Sequence, residues 1–524
     1  MHMLEITHAS FPWLATLVAL PAIAGIATLL AAPLRAIGRQ IALVVSLIEL
    51  VLAIAAGLMF NWSAAGTYQL AETHNWIPQL GISWALGVNQ LSLAMILLAA
   101  ALVPLVLVAA WKEDGANHDS ASSAGNYAAL VLILEAFIML IFAARDVVLF
   151  YLVFEAMLIP VYFMIGRYGG PRAGAAALKF LLYSLASGLV MLGGVIALVV
   201  YGGNAEGAFL FENLANLQLP HAAEMAIFAT FFVAFAVKAP MVPVHTWLPD
   251  AAEQARPGTS VLLVGVLDKL GTYGMITLCL PLFPHASAKA APVILVLAVI
   301  SILYGGLAAI GQKNLMRLIS YTSVSHFGFM VLGIYIGTHV ALVGAMYYMV
   351  AHGISIAAMF LISGFLTQRR GSRTIADFGG WQRVTPVLAG TWLVTGLASI
   401  ALPTLSGFVP EYLVLVGTWQ VNRWVAFFAV LGVILAALYV LIPYQRMFTG
   451  PVPTEGTVPS EGTAPTDASA REKVVIAPLI VAMVIFGVWA APLVQSLNPV
   501  ADTALSHLNA GASTSAPAHE GSDK

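Results

Sequence analysis

Long apolar runs alternate with short polar, basic or proline-marked breaks from residue 11 to residue 495. A run of about 20 apolar residues is long enough for one helix to cross a hydrocarbon layer of ~30 Å. The pattern predicts fourteen spans, over 11–33, 40–60, 89–111, 125–144, 147–166, 177–201, 222–255, 259–281, 291–311, 314–336, 339–366, 386–421, 424–448 and 473–495. Two of them are too long for one straight crossing. The twelfth lies in a stretch of 39 residues between Arg383 and Arg423 whose only charge is Glu411, roughly 58 Å as a continuous helix. Pro403, Gly407 and Pro410 place a break in it, and Pro240 and Pro243 place one in the seventh. The expected fold is an all-α polytopic membrane protein of about 14 transmembrane helices, with helices 7 and 12 broken. Those breaks stand five spans apart, so spans 4–8 and 9–13 read as two inverted five-helix repeats, about 125–281 and 291–448. The weak alternation of a membrane barrel is absent.

Composition agrees. The 524 residues are 60% hydrophobic and 9% charged, against about 25% charge in soluble proteins, and the mean hydropathy is +0.92. Residues 1–510 are expected to form a single transmembrane domain. Within it, 450–470 is a flexible loop rich in Pro, Thr, Glu and Gly, and 511–524 is a disordered tail. The first basic residue is Arg35, so the first apolar segment reads as a retained helix rather than a cleaved signal. The single cysteine, Cys279, cannot make an internal disulfide, hold an iron–sulfur cluster or build a structural cysteine–zinc site. No phosphate-cradling glycine loop is present, and a net charge of −2 gives no nucleic-acid signal, so no nucleic-acid partner is expected. With the N-terminus outside, 16 of the 22 Lys and Arg fall on inner loops, 4 fall outside, and Lys238 and Lys269 stay within the membrane. Positive residues favour the inner side, so both termini are expected outside.

Charges buried in a bilayer cost about 2.5–3.5 kcal/mol each on insertion scales, so each asks for a reason. Glu155 is ninth in the twenty-residue run VVLFYLVFEAMLIPVYFMIG, Lys238 precedes the break of the seventh span, and Lys269 sits beside Asp268 in the eighth. Glu135, His326, His352 and Glu411 lie in the fourth, tenth, eleventh and twelfth spans, and Glu49 interrupts the second. Singly each has a plain reading. Glu155 and Lys238 make a structural ion pair, a lone histidine is hydrogen-bonded in the core, Glu49 is peripheral or locally hydrated, and His245 and Asp250 cap the second half of the seventh span or meet water. As a set they point to proton transfer: titratable groups recur near mid-depth in successive spans, and arginine, which cannot release its proton, is missing from the set. The catalytic candidates are Glu155, Lys238, Lys269, His326, His352 and Glu411, with Glu135, His245 and Asp250 behind them. Proline breaks free backbone carbonyls, which are tolerated at depth only beside protein or a watery cavity.

The stretches FEAMLIPVYFMIG, KAPMVPVHTWLPDA, LDKLGTYG, QKNLMRLISYTSVSHFGFM and AHGISIAAMFL together resemble the antiporter-like membrane subunits of respiratory complex I, from about the third span to the thirteenth. The resemblance implies that Glu155 and Lys238 are that family's glutamate–lysine pair, Lys269 its central lysine, and His326 and His352 its connecting histidines. Glutamate rather than lysine at the break of the twelfth span, here Glu411, is similar to the M-type branch, chain M of NADH-quinone oxidoreductase. Asp268 stands where relatives commonly carry an apolar residue. The implied role is proton translocation coupled to quinone reduction elsewhere in the complex, in a bacterial cell membrane. FMN, iron–sulfur clusters and quinone are then expected in partner subunits, no cofactor or metal site is expected in this chain, and its partners are sibling antiporter-like subunits and the lipid bilayer. The same superfamily includes Na⁺/H⁺ antiporter subunits and membrane-bound hydrogenase subunits, which remain the alternative.

Overall fold

The computed structural model describes residues 6–8, 11–64, 68–113, 121–203, 205–451 and 466–514. Each predicted span coincides with a helix or a pair of helices. Among the described residues, twelve helices are individually long and apolar enough to cross a membrane. A further helix, Ala470–Val488, fills the fourteenth position. The twelfth span is divided into Pro386–Ser399 and Phe408–Val421, on either side of the expected break. The seventh is divided likewise, into His221–Lys238 and Trp247–Gln254.

Polar residues that separate the apolar runs start several of the helices. Asn89, Asp146, Asn314, Thr338, Asn422 and Ser469 each accept hydrogen bonds from backbone N–H groups of the first turn that follows. Without such a cap the first-turn donors would be orphaned next to a bilayer.

Two further interruptions were not expected. The fifth span is split at Met157 into Val147–Ala156 and Leu158–Tyr168. The eighth contains two π-helical segments, Leu263–Leu267 and Met275–Cys279, on either side of Lys269. Pro160 and Pro281 each lack the N–H that would bond four residues back, at Ala156 and Thr277, and so explain the break at Met157 and the second π segment; the segment Leu263–Leu267 has no proline at its fault.

The all-α expectation needs one correction. Strands β1 (Ile6–His8), β2 (Tyr68–Ile77) and β3 (Ile82–Val88) form a three-stranded sheet in the order β1-β2-β3. β2 and β3 are antiparallel, and the turn between them ends at Gly81, whose φ of 70° suits glycine. The hairpin is fastened to the start of the fifth span: Arg145 N–H donates to the Ala85 carbonyl (2.9 Å) and Ser83 N–H to Asp146 Oδ2 (3.0 Å). A second correction lies at the C-terminus. After a 70° bend the chain continues as the helix Ala491–Thr514, which packs through Leu497, Ala501 and Ala504, all buried. It runs four residues into the stretch expected to be disordered. Residues 515–524, and 452–465 of the expected flexible loop, lie outside the described residues.

Basic residues assigned to inner loops meet at one end of the bundle. Arg39 donates to the Trp111 carbonyl (2.7 Å) and Arg369 pairs with Glu472 (2.7 Å). Arg172 and Arg317 both reach Glu253 (2.7 and 3.0 Å), while Lys179 (2.6 Å) and Arg317 both hold Asp250. At the other end a cavity of about 80 Å³ has Tyr68, Glu212 and His507 on its walls, so the hairpin and the C-terminal helix share that end.

Candidate functional site

The eighth, tenth and eleventh helices, Pro257–Leu282, Leu315–Tyr335 and His339–Arg370, are completely enclosed by the others. The first, sixth and thirteenth leave most of their surface outward. Lys269, His326 and His352 therefore lie on the three most protected helices of the molecule, where an unused charge would be hardest to keep.

These residues form a connected file. Lys269 Nζ lies 2.7 Å from His352 Nδ1 and 2.6 Å from the Val264 carbonyl. A lysine ammonium can only donate, so when Lys269 is charged His352 accepts at Nδ1. The π-helical turn contributes directly, because Val264 belongs to it, and such turns leave carbonyls without their usual helical partner. The His352 and His326 rings stand edge to face at 5.1 Å. His326 Nε2 is 3.1 Å from the Ser399 carbonyl and 3.0 Å from the Tyr439 hydroxyl. Ser399 closes the first half of the broken twelfth span, so the break supplies the acceptor that the proline pattern led one to expect. Beyond it, Tyr348 Oη donates to Glu411 Oε2 at 3.4 Å, and the Tyr348 ring lies 5.7 Å from that of His326. The order along the file is Lys269, His352, His326, the two tyrosines and Glu411.

The glutamate–lysine pair is open. Neither Glu155 oxygen has a hydrogen-bond partner. Lys238 Nζ instead sits over the rings of Phe154 (5.1 Å) and Phe180 (5.5 Å), an arrangement that partly compensates a buried ammonium. Glu155 is half-buried, with Leu152 and Ile159 on the same outward side. The plain reading of a closed structural ion pair is not what the geometry holds. Asp268 is fully buried, has no hydrogen-bond partner on either oxygen, and is within electrostatic reach of both Lys238 and Lys269.

The remaining candidates are elsewhere. Glu135 is off the file, buried beside Glu49; Glu49 is thus not peripheral, as expected, but interior. His245 caps nothing with its side chain: it is buried, without a hydrogen-bond partner, against Tyr304 (5.1 Å) and Tyr321. Asp250 is in the ion cluster at the basic end. Tyr348, Tyr439 and the Ser399 and Val264 carbonyls were missed in the sequence. Only Tyr348 left a trace, four residues before His352 and hence on the same helical face.

Gly188 shows how tightly Glu155 is held. A Cβ there would lie 1.6 Å from Glu155 Oε1. Gly188→Ala is expected to swing the carboxylate aside while leaving the helices in register, since the obstructing atom ends a flexible side chain. Turnover coupled to proton movement should fall several-fold in an assembly of normal abundance, measurable in membrane vesicles.

A polytopic bundle with broken helices around a buried titratable file defines the antiporter-like class of membrane subunit. The chain belongs to the NADH:quinone oxidoreductase/Mrp antiporter transmembrane family, which matches residues 144–438, the segment from just before Glu155 to past Glu411. It is similar to NADH-quinone oxidoreductase subunit M of Mycobacterium tuberculosis, 40% identical over 526 residues and 94% of each chain. Among solved structures it superposes on a chain of respiratory complex I from Thermus thermophilus with a TM-score of 0.84 and 30% identity, covering 94% of this chain and 99% of that one. The Mrp complex from Dietzia shares the fold at a TM-score of 0.81 and 20% identity, over 95% of this chain and all of that one. The M-type expectation drawn from Glu411 is borne out by these relatives.

Proposed function

We propose that this chain is a proton-translocating membrane subunit of a bacterial NADH-quinone oxidoreductase, carrying protons across the cell membrane while quinone is reduced elsewhere in the complex. The file from Lys269 through His352 and His326 to Glu411, enclosed by the three most buried helices, carries the reading. The chain does no redox chemistry itself. FMN, iron–sulfur clusters and quinone belong to partner subunits, and sibling antiporter-like subunits flank it. Both termini face outside, and the gathering of inner-loop basic residues at one end supports that orientation. Two inverted repeats, about 125–281 and 291–448, are supported by the matching breaks after Lys238 and before Glu411.

Each residue has a distinct task in this scheme. Redox-driven charge changes reach Glu155 at the half-exposed face and open or close its interaction with Lys238. Asp268, within electrostatic reach of the two lysines, transmits the change to Lys269. When Lys269 loses its hold on a proton, His352 takes it at Nδ1, His326 passes it on, and the tyrosines deliver it to Glu411 for release outside. The energy scale is adequate, since a unit charge moved against 100 mV takes about 2.3 kcal/mol and a three-unit change in proton affinity is worth about 4 kcal/mol.

The test is Lys238→Ala in the assembled complex, reconstituted in vesicles. NADH-driven proton movement is expected to fall to a small fraction of wild type; unchanged pumping would remove Lys238 from the path. Sodium-dependent proton movement in the same vesicles without NADH would instead favour the Na⁺/H⁺ antiporter reading; the Mrp complex from Dietzia shares this fold.

A further inference from the structure

One cluster of ligating side chains plays no part in the file. His221 and Glu224 lie one turn apart at the start of the seventh span, and His285 lies at the start of the ninth. One ligating atom from each, an imidazole nitrogen or a carboxylate oxygen, falls within 4.8 Å of the others. The two imidazoles meet edge to face at 4.8 Å. Glu224 is buried, and its Oε1 accepts from the Ala286 backbone N–H at 3.0 Å. That bond anchors the carboxylate next to His285 and leaves Oε2 for a ligand. His221 is exposed and His285 partly so, so an ion can arrive from solvent and keep an open position for water.

We infer that His221, Glu224 and His285 form a binding site for a zinc ion on the end of the molecule that carries the β-hairpin, against the expectation of no metal site in this chain. Two neutral imidazoles and one carboxylate with a solvent-facing fourth position are a donor set that suits Zn²⁺. Glu224 supplies the negative charge that a cation needs beside two helix N-termini, which by themselves favour anions. The hydrogen bond from Ala286 holds the carboxylate as outer-shell partners hold metal ligands. The site bridges the seventh and ninth spans, and the seventh ends at Lys238. A bound ion therefore pins the far end of the helix that carries the lysine of the glutamate–lysine pair, so zinc should act as a brake on coupled turnover. Metal binding does not depend on the proposed proton path; only the brake does.

The experiment uses the whole complex, stripped with a chelator and titrated with Zn²⁺ in a competing-dye buffer. Wild type is expected to bind one more zinc than the His221→Gln and His285→Gln double variant, at micromolar free zinc or below. Each single variant should weaken that site by at least about tenfold. His221 is exposed and His285 partly so, and both lie at helix starts, so the variants should assemble; blue-native electrophoresis checks this. Equal zinc content in wild type and double variant overturns the site. If the extra zinc binds but wild type and double variant are equally sensitive to micromolar zinc in NADH-driven pumping, the brake is overturned while the site stands.

Discussion

Lys269→Met is expected to reduce NADH-driven proton pumping at least tenfold, about 1.4 kcal/mol on the limiting barrier, in a complex that still assembles. Methionine keeps the linear, apolar part of the side chain within the fully enclosed eighth span, so packing is largely retained. What disappears is the group that would join His352 to the Glu155 side of the proposed path. His352 Nδ1 and the Val264 carbonyl both lose the Lys269 Nζ contact, at about 1–3 kcal/mol for each polar group left unsatisfied. That cost should appear as a lower unfolding temperature. Proton movement in proteoliposomes, measured beside NADH oxidation, separates a broken path from a broken fold. Wild-type pumping in Lys269→Met would mean that protons reach Glu411 by another route.

Gly271→Ala is expected to have a large effect for one added methyl group. Its Cβ would stand 2.4 Å from Ala239 N and from the Phe235 carbonyl, and 2.5 Å from Ala239 Cβ. These are mainly backbone atoms at the end of the helix carrying Lys238, and backbone cannot swing aside as a side chain can. Overpacking of this kind costs about 1–3 kcal/mol, occasionally more. Relief requires the seventh and eighth spans to separate at the point where Lys238, Asp268 and Lys269 converge, so stability and coupled pumping should fall together. Gly174→Ala provides the contrast: nothing lies within 4 Å of its added Cβ, and it should assemble and pump as wild type. Indistinguishable thermal stability and activity for the two variants would show that the close approach at Gly271 does not constrain these helices.

The path residues differ in how they could be read from the sequence. Lys238, Lys269, His326, His352 and Glu411 stood out because a bilayer penalises polar side chains one at a time, so each is conspicuous where it occurs. Asp268 was visible for the same reason, but a regular helix turns about 100° per residue, which separated it from Lys269. Tyr439 is a common residue on an apolar helix with nothing nearby to mark it, and Tyr348 is marked only by its spacing of four from His352. A backbone carbonyl such as that of Ser399 or Val264 has no signature of its own.

Along the chain, apolar run length set the number of spans, and clustered prolines set the two strongest breaks. Local polar residues set the helix starts, because each of these depends on neighbours within a turn or two and on the uniform solvent outside. The π-helical turn before Lys269, the sheet built from β1, β2 and β3, and the bent C-terminal helix had no such local mark and involve segments far apart in sequence. The same is true of the order of the file: His352 beside Lys269 is a contact between residues 83 apart, and such a contact exists only once three enclosed helices have chosen which faces to turn inward.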